Sequence, residues 1–230
     1  MPKHRKDYDS LENLLGYQFQ NRSLLEHALT HRSFARQNGI RDNERMEFLG
    51  DSVLHLVVTN HLYGSFPNLQ EGQLAKIRAM LVSQPTLADV GRKLKLNQFL
   101  RVGKGEERTG ARERDSLLCD VVEAVYGAVF LDGGFDEARR VILRHLPHWD
   151  ESELPLIDAK STLQEHFQQI AQKTPTYELA AEVGPDHQKK FVVEVRFENE
   201  VLGRGIGPSK KEAAQAAARE ALANLDIYQE

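Results

Sequence analysis

The chain offers little that could stabilise it from outside its own core or carry it out of the compartment where it is made. It has a single cysteine, Cys119, in 230 residues, so neither an internal disulfide nor a cysteine metal site is possible; the residue lies in an apolar segment and reads as core in a reducing compartment. No apolar run reaches the roughly 18 residues that a membrane span needs. The opening "MPKHRKDYDS" has no apolar stretch behind its positive charges, which argues against a signal peptide. The expectation is a cytoplasmic protein with no membrane association. Positive charge is also scarce. The formal net charge is -4, and nine Lys and Arg against twelve Asp and Glu from Asp158 onward leave -3 there and -1 for the rest. Any nucleic-acid site must therefore be a local cluster of cations rather than a property of the whole surface.

What is present fits a globular protein of one or two domains, with 40% hydrophobic and 28% charged residues. Up to about residue 146 the patterns are helical: "SLLEHALTHRSFA", "NERMEFLGDSVLHLVVTNHLY", "EGQLAKIRAMLVSQPTLADVGRKL", "SLLCDVVEAVYGAVFL" and "DEARRVILRHL" repeat apolar residues at spacings of three and four. "PHWDESELPLI" breaks this pattern with two prolines and three acids and reads as a connection. Beyond it, "FVVEVRFENEVLGRGIG" alternates with period two. The expected organisation is an all-α domain over residues 1–147, a linker over 148–157, and a small α+β domain over 158–230. The second has the order α-β-β-β-α, with helices at about 159–171 and 209–225 and strands near 176–183, 190–198 and 201–206.

Two acidic groupings stand out in the helical half. On a helix, Glu44, Glu47 and Asp51 share one face within about 60°, while Met46, Leu49, Val53 and Val57 lie opposite. Alone, this describes an amphipathic helix with a solvated acidic side. In "SLLCDVVEAVYGAVFL", however, Asp120 and Glu123 are the only charges in a helix that is apolar on every side. Such a helix is expected to be buried, and burying two carboxylates costs several kcal/mol each unless a cation meets them. That cation is either a basic residue such as Arg45, Arg78 or Lys76, or a bound metal. If the two helices face each other, Glu47, Asp51, Asp120 and Glu123 form an all-oxygen cluster, which suits Mg²⁺ or Mn²⁺ and hydrolysis of a phosphate ester. His31, in "LTHRSF", reads as a structural residue at a helix end.

"NERMEFLGDSVL" closely resembles the signature of bacterial ribonuclease III, differing at Met46 where that family commonly has leucine. The resemblance continues through "LTHRSF", "EGQLAKIRAMLVS" and "CDVVEAVYGAVFLDGG". It implies Glu47, Asp120 and Glu123 as magnesium ligands, Asp51 and Glu123 as residues whose loss stops cleavage, and Glu44 as an acid assisting near the scissile strand. It also implies a homodimer that holds duplex RNA, with Glu71 at the dimer contact, and products with 5′ phosphates, 3′ hydroxyls and short 3′ overhangs. Glu71 reads equally well as an acid favoured by a helix N-terminus.

In "GIGPSKKEAAQAAAREAL", Ser209 can cap a helix whose first turn presents Lys210 and Lys211, a candidate phosphate clamp or simply a capped surface helix. With "STLQEHFQQ" and "GPDHQKKF", residues 158–226 resemble a double-stranded RNA-binding domain. This implies RNA contacts from Gln164 and Glu165, from His187, and from Lys210 with Lys211, reading A-form shape with little sequence preference. The cations grouped at Lys189, Lys190, Arg204, Lys210 and Lys211 account for RNA binding despite the net negative charge. The expectation is a Mg²⁺-dependent endonuclease of double-stranded RNA, acting on ribosomal RNA precursors and structured messenger or transfer RNA precursors. The competing readings are a regulator that binds duplexes without cutting them and a helical phosphohydrolase acting on nucleotides; the latter leaves the second domain unexplained.

Overall fold

The computed structural model describes residues 8–150, 154–185 and 189–225. The chain separates into two compact units, Met1–His148 and Trp149–Glu230.

The first unit is helical, in the order α1 (Tyr8–Leu15), α2 (Arg22–Ala28), α3 (Arg32–Asn38), α4 (Glu44–Ser65), α5 (Glu71–Leu81), α6 (Gln84–Lys93), α7 (Leu96–Phe99), α8 (Lys104–Arg108), a 3₁₀ turn at Ala111–Glu113, and α9 (Asp115–His145). The first half of α9 is the centre of the core: Leu118, Val121, Val122, Ala124, Val125, Tyr126, Ala128 and Val129 are fully buried, as expected of a helix apolar all round. The helix bends at Gly134, whose φ of 80° and ψ of -172° are not helical and which only glycine adopts readily. This accounts for the two separate helical patterns seen in the sequence. The single pattern "SLLEHALTHRSFA" is divided instead. Thr30 forms an isolated parallel bridge with Arg101, and His31 starts α3 as its N-cap, its Nδ1 accepting from the backbone N–H of Ser33 at 3.2 Å. Likewise Ser83 caps α6, with a proline in the first turn, and ends the run begun in α5.

Helices α4 and α9 cross with glycine at the contact. A Cβ on Gly50 would lie 1.8 Å from the carbonyl oxygen of Glu123, and one on Gly127 would lie 2.4 Å from that of Met46. The two backbones approach closer than any other residue would permit, since helix separation is ordinarily set by the side chains between the axes.

In the second unit, α10 (Leu154–Ala171), β1 (Thr176–Val183), β2 (Lys190–Phe197), β3 (Glu200–Gly207) and α11 (Lys210–Asn224) follow in the expected order. The sheet is antiparallel, β1-β2-β3. Leu163, Phe167, Val193 and Val195, with Ala213, Ala214, Ala217, Ala218 and Ala221 of α11, form its core. Alternate glycines of β3 receive α11 directly: a Cβ on Gly205 would meet Ala213 O and Ala217 N, each at 2.1 Å. Helix α10 starts at Leu154, inside the segment expected to be linker. Pro155 read as a breaker, but at the second position of a helix a proline forfeits no intrahelical hydrogen bond.

The crossing predicts unequal effects of the same substitution within α4. Gly50→Ala must push backbone against backbone and is expected to cost at least about 3 kcal/mol. Gly64→Ala, with nothing within 4 Å of the added carbon, should be neutral or stabilising by up to about 1 kcal/mol. Urea unfolding of the two variants measures both.

Candidate active site

The N-terminus of α4 is fixed from outside the helix. Asn43 is buried, donates from Nδ2 to Ala28 O at 3.0 Å and from its backbone N–H to Thr30 O at 3.0 Å, which anchors the start of α4 to the end of α2 and the turn before α3. Glu44, Glu47 and Asp51 follow on one face, while Met46, Val53 and Val57 are buried on the other. On α9, Asp120 and Glu123 lie one turn apart, half-buried rather than wholly enclosed. Because Gly50 packs on the backbone of Glu123 itself, the crossing delivers the acids of α4 to those of α9. A cavity of about 260 Å³ opens here, lined by His31, Arg32, Asn43, Glu44, Glu47, Leu117 and Asp120.

The electrostatics record how close these groups are. Burial, then the carboxylates of Asp120, Glu44 and Asp51, push Glu47 up to about 7, against a partial offset from Arg32. Burial, then Asp51, Glu47 and Asp120, push Glu123 up to about 7, although a hydrogen bond from the Cys119 thiol at 3.6 Å favours its ionised form. Asp120 is also raised, by burial. Among the described residues, no lysine or arginine forms an ion pair with Glu47, Asp120 or Glu123. Asp51 lies 3.4 Å from His55 Nε2. Two basic residues expected as counter-charges are placed elsewhere: Arg78 donates to Thr59 Oγ1 at 3.0 Å, and Arg45 lines a different cavity with Leu24, His27 and Leu131. The cation nearest the acids is one the sequence did not single out, Arg32, whose Nη1 lies 3.4 Å from Glu44 Oε1.

The donor set is thus all oxygen, partly desolvated and short of positive charge, which fits a hard divalent cation. Among the described residues, no three such groups converge as tightly as a coordination shell requires. Carboxylates with no cation between them repel one another, and partly exposed side chains are free to stand apart. A further acid on α9, Asp132, is engaged structurally: it accepts from Tyr17 OH at 2.9 Å and from the backbone N–H groups of Gln20 and Asn21 at 2.8 and 2.9 Å.

Elsewhere, Glu71 is the exposed first residue of α5 and lines a groove with Tyr63, Leu69 and Leu74. In the second unit, Gln164 is exposed and Glu165 half-buried on α10. Ser209 caps α11, its Oγ accepting from Glu212 N at 3.2 Å, and Lys210 and Lys211 are exposed in the first turn. His187 lies outside the described residues. The expected basic group is smaller than the sequence suggested. Arg204 pairs with Glu194 across the β2–β3 register at 2.5 Å, and Lys189 pairs with Glu182 at 2.5 Å. Only Lys190, Lys210 and Lys211 of that group are without such a pair among the described residues.

Residues 21–148 match the Ribonuclease-III-like family, and residues 159–225 match the double-stranded RNA binding motif. The chain belongs to the ribonuclease III family. It is 49% identical over 222 residues to Ribonuclease 3 of Caldanaerobacter subterraneus subsp. tengcongensis, covering 94% of this chain and 97% of that protein. Ribonuclease 3 of Syntrophotalea carbinolica is 45% identical over 94% of this chain and 96% of its own length. Among solved structures, the nuclease domain of ribonuclease III from Campylobacter jejuni superimposes with a TM-score of 0.58 at 41% identity, over 63% of this chain and 99% of that one. A second structure of that domain, described for flexibility in a region involved in dimer formation, gives 0.57 at 42%, over 60% and 94% of the two chains. The protein is therefore an endoribonuclease of the ribonuclease III type acting on double-stranded RNA, with an all-α nuclease unit followed by an α-β-β-β-α RNA-binding unit.

Burial of the cluster, with the repulsion inside it, has a measurable pH signature. Glu47 and Glu123 titrate near 7 in the fold, against 4.5 for an unperturbed glutamate. Between those values the folded state holds more protons than the unfolded one, so stability in chelator should fall as pH rises from about 4.5 through about 7. Glu47→Gln is expected to flatten that slope in a series of melting curves.

Proposed function

We propose that this chain cuts both strands of duplex RNA in a Mg²⁺-dependent hydrolysis, with Mn²⁺ as a substitute, and that Glu47, Asp51, Asp120 and Glu123 hold the metal. The observation that carries the reading is the uncompensated charge where α4 crosses α9: four carboxylates, two of them raised to about 7 by burial and each other, with no basic residue paired to Glu47, Asp120 or Glu123 among the described ones. A divalent cation bound there supplies Lewis acidity toward water and the phosphoryl oxygens. Glu47, Asp51, Asp120 and Glu123 fix its place, and Glu44, exposed at the mouth of the cavity, assists beside the scissile strand. Water adds to phosphorus as the P–O3′ bond breaks, giving a 5′ phosphate and a 3′ hydroxyl.

The acting species is a homodimer, whose paired cuts leave short 3′ overhangs. Phe48, Leu56 and Tyr63, spaced along one face of α4, are 77%, 57% and 76% exposed, and the groove beside Glu71 adjoins them through Tyr63. An apolar stripe of this kind on a soluble domain marks a partner surface, and Glu71 lies at the contact. RNA is gripped by Gln164 and Glu165 on α10, by His187, and by Lys210 and Lys211 at the start of α11, where backbone N–H groups, helix dipole and two cations favour phosphate. The substrates are ribosomal RNA precursors and structured messenger and transfer RNA precursors in the cytoplasm.

Incubating the protein with long duplex RNA, with and without Mg²⁺, tests the reaction: cleavage only with metal supports it, and intact RNA under both conditions refutes it. Glu123→Gln should abolish cleavage while changing duplex affinity little, as read by gel shift. Equal loss of both would remove Glu123 from the metal site. Lys210→Ala should weaken binding to all duplexes alike and reduce the slope of log K against log salt by about one; an unchanged slope would refute the clamp.

A further inference from the structure

Among the described residues, Arg32 is the arginine that lines the acid cavity, and its pairing is loose. Arg112 donates from Nη1 to the carbonyls of Asn97 and Leu100 at 2.7 and 2.8 Å and pairs with Glu107 at 2.7 Å. Arg114 is paired to Glu106. Arg101 lies over the ring of Phe34 and donates to Thr30 Oγ1. Among the described residues, the one ion pair of Arg32 is its 3.4 Å contact with Glu44, and both side chains are more than half exposed, at 58% and 54%. A pair so long and so wet contributes little to stability. The backbone beneath Arg32 is firmly held by comparison. His31 N donates to Arg101 O at 3.1 Å, His31 caps the helix that Arg32 begins, and Ser33 Oγ accepts from Gly103 N at 2.8 Å. A fixed base thus carries a guanidinium that is readily released.

That guanidinium lines the same cavity as Glu44, Glu47 and Asp120. An RNA strand reaching those acids brings one negative charge per nucleotide past the exposed Glu44, so its approach is repulsive unless a cation stands at the rim. Arg32 is that cation, and its planar fork can take two oxygens of one phosphate. We propose that Arg32 positions the scissile strand: on duplex binding its guanidinium exchanges Glu44 for a backbone phosphate next to the cleaved bond and leaves Glu44 free at the site. This assignment rests on the nuclease reading above.

The test uses the full-length protein, Mg²⁺ and a duplex cut at one defined position, with the wild type, Arg32→Ala and Arg32→Lys. Arg32→Ala is expected to lower kcat/KM by at least about tenfold with no change in Tm, and Arg32→Lys to recover only part, since an ammonium lacks the fork. Replacing the phosphates flanking the cut one at a time by neutral methylphosphonates should identify one position that slows the wild type and does not slow Arg32→Ala further. The assignment is overturned if Arg32→Ala cleaves like the wild type, if its loss of activity follows a loss of Tm, or if each neutral phosphate slows both proteins equally. A wild type that cuts no duplex refutes the nuclease reading itself, and the role of Arg32 falls with it.

Discussion

The contact between Gly50 of α4 and the backbone of α9 brings the acids of α4 to Asp120 and Glu123 of α9. With a Cβ at that point 1.8 Å from the Glu123 carbonyl, no other residue would let the two helices approach as they do. The approach is unfavourable locally: glycine inside a helix costs up to about 1 kcal/mol relative to alanine, and half-buried carboxylates brought together repel each other. The surrounding core offsets this, because α9 buries apolar side chains on all its other sides and α4 buries Met46, Val53 and Val57. The site is held in a state its own charges oppose, an opposition that a divalent cation bound there, as proposed, would relieve.

Much of this was legible in the sequence because it depends on periodicity alone. The acid face of α4, the all-apolar character of α9 around Asp120 and Glu123, and the α-β-β-β-α order with its alternating strands all follow from which residues share a face. What depends on distant partners was not legible. The break between α2 and α3 contains neither proline nor glycine; it arises from the Thr30–Arg101 bridge and the His31 cap. Gly50 and Gly127 were visible as glycines inside helices, a sign of close backbone approach, but nothing in the chain says that they face each other. Arg204 counts as a cation in a composition and as half of an ion pair once the β2–β3 register sets it opposite Glu194. Arg32 gives no signal of its own, since its importance comes from where α3 begins.

The two units solve a shared electrostatic difficulty differently. A protein of net charge -4 meets a polyanion through local groups of cations rather than through its surface as a whole. In the RNA-binding unit, Lys190, Lys210 and Lys211 form no ion pair among the described residues, and Lys210 and Lys211 stand in the first turn of a capped helix that adds its own partial charge. The nuclease unit, Met1–His148, carries 21 Lys and Arg against 19 Asp and Glu, yet its site is locally acidic, and under the proposed function metal together with Arg32 would reverse that charge where the phosphodiester is cut. The same close packing serves both units: glycines of β3 accept the alanine face of α11 as Gly50 and Gly127 accept each other's helices.

The most direct measurement of the central claim is anomalous diffraction from crystals of the protein grown with Mn²⁺. The account requires a peak bounded by the carboxylates of Glu47, Asp51, Asp120 and Glu123, with α4 and α9 still in contact through Gly50 and Gly127. Manganese bound elsewhere, or those four side chains turned away from it toward arginine or lysine, would contradict it.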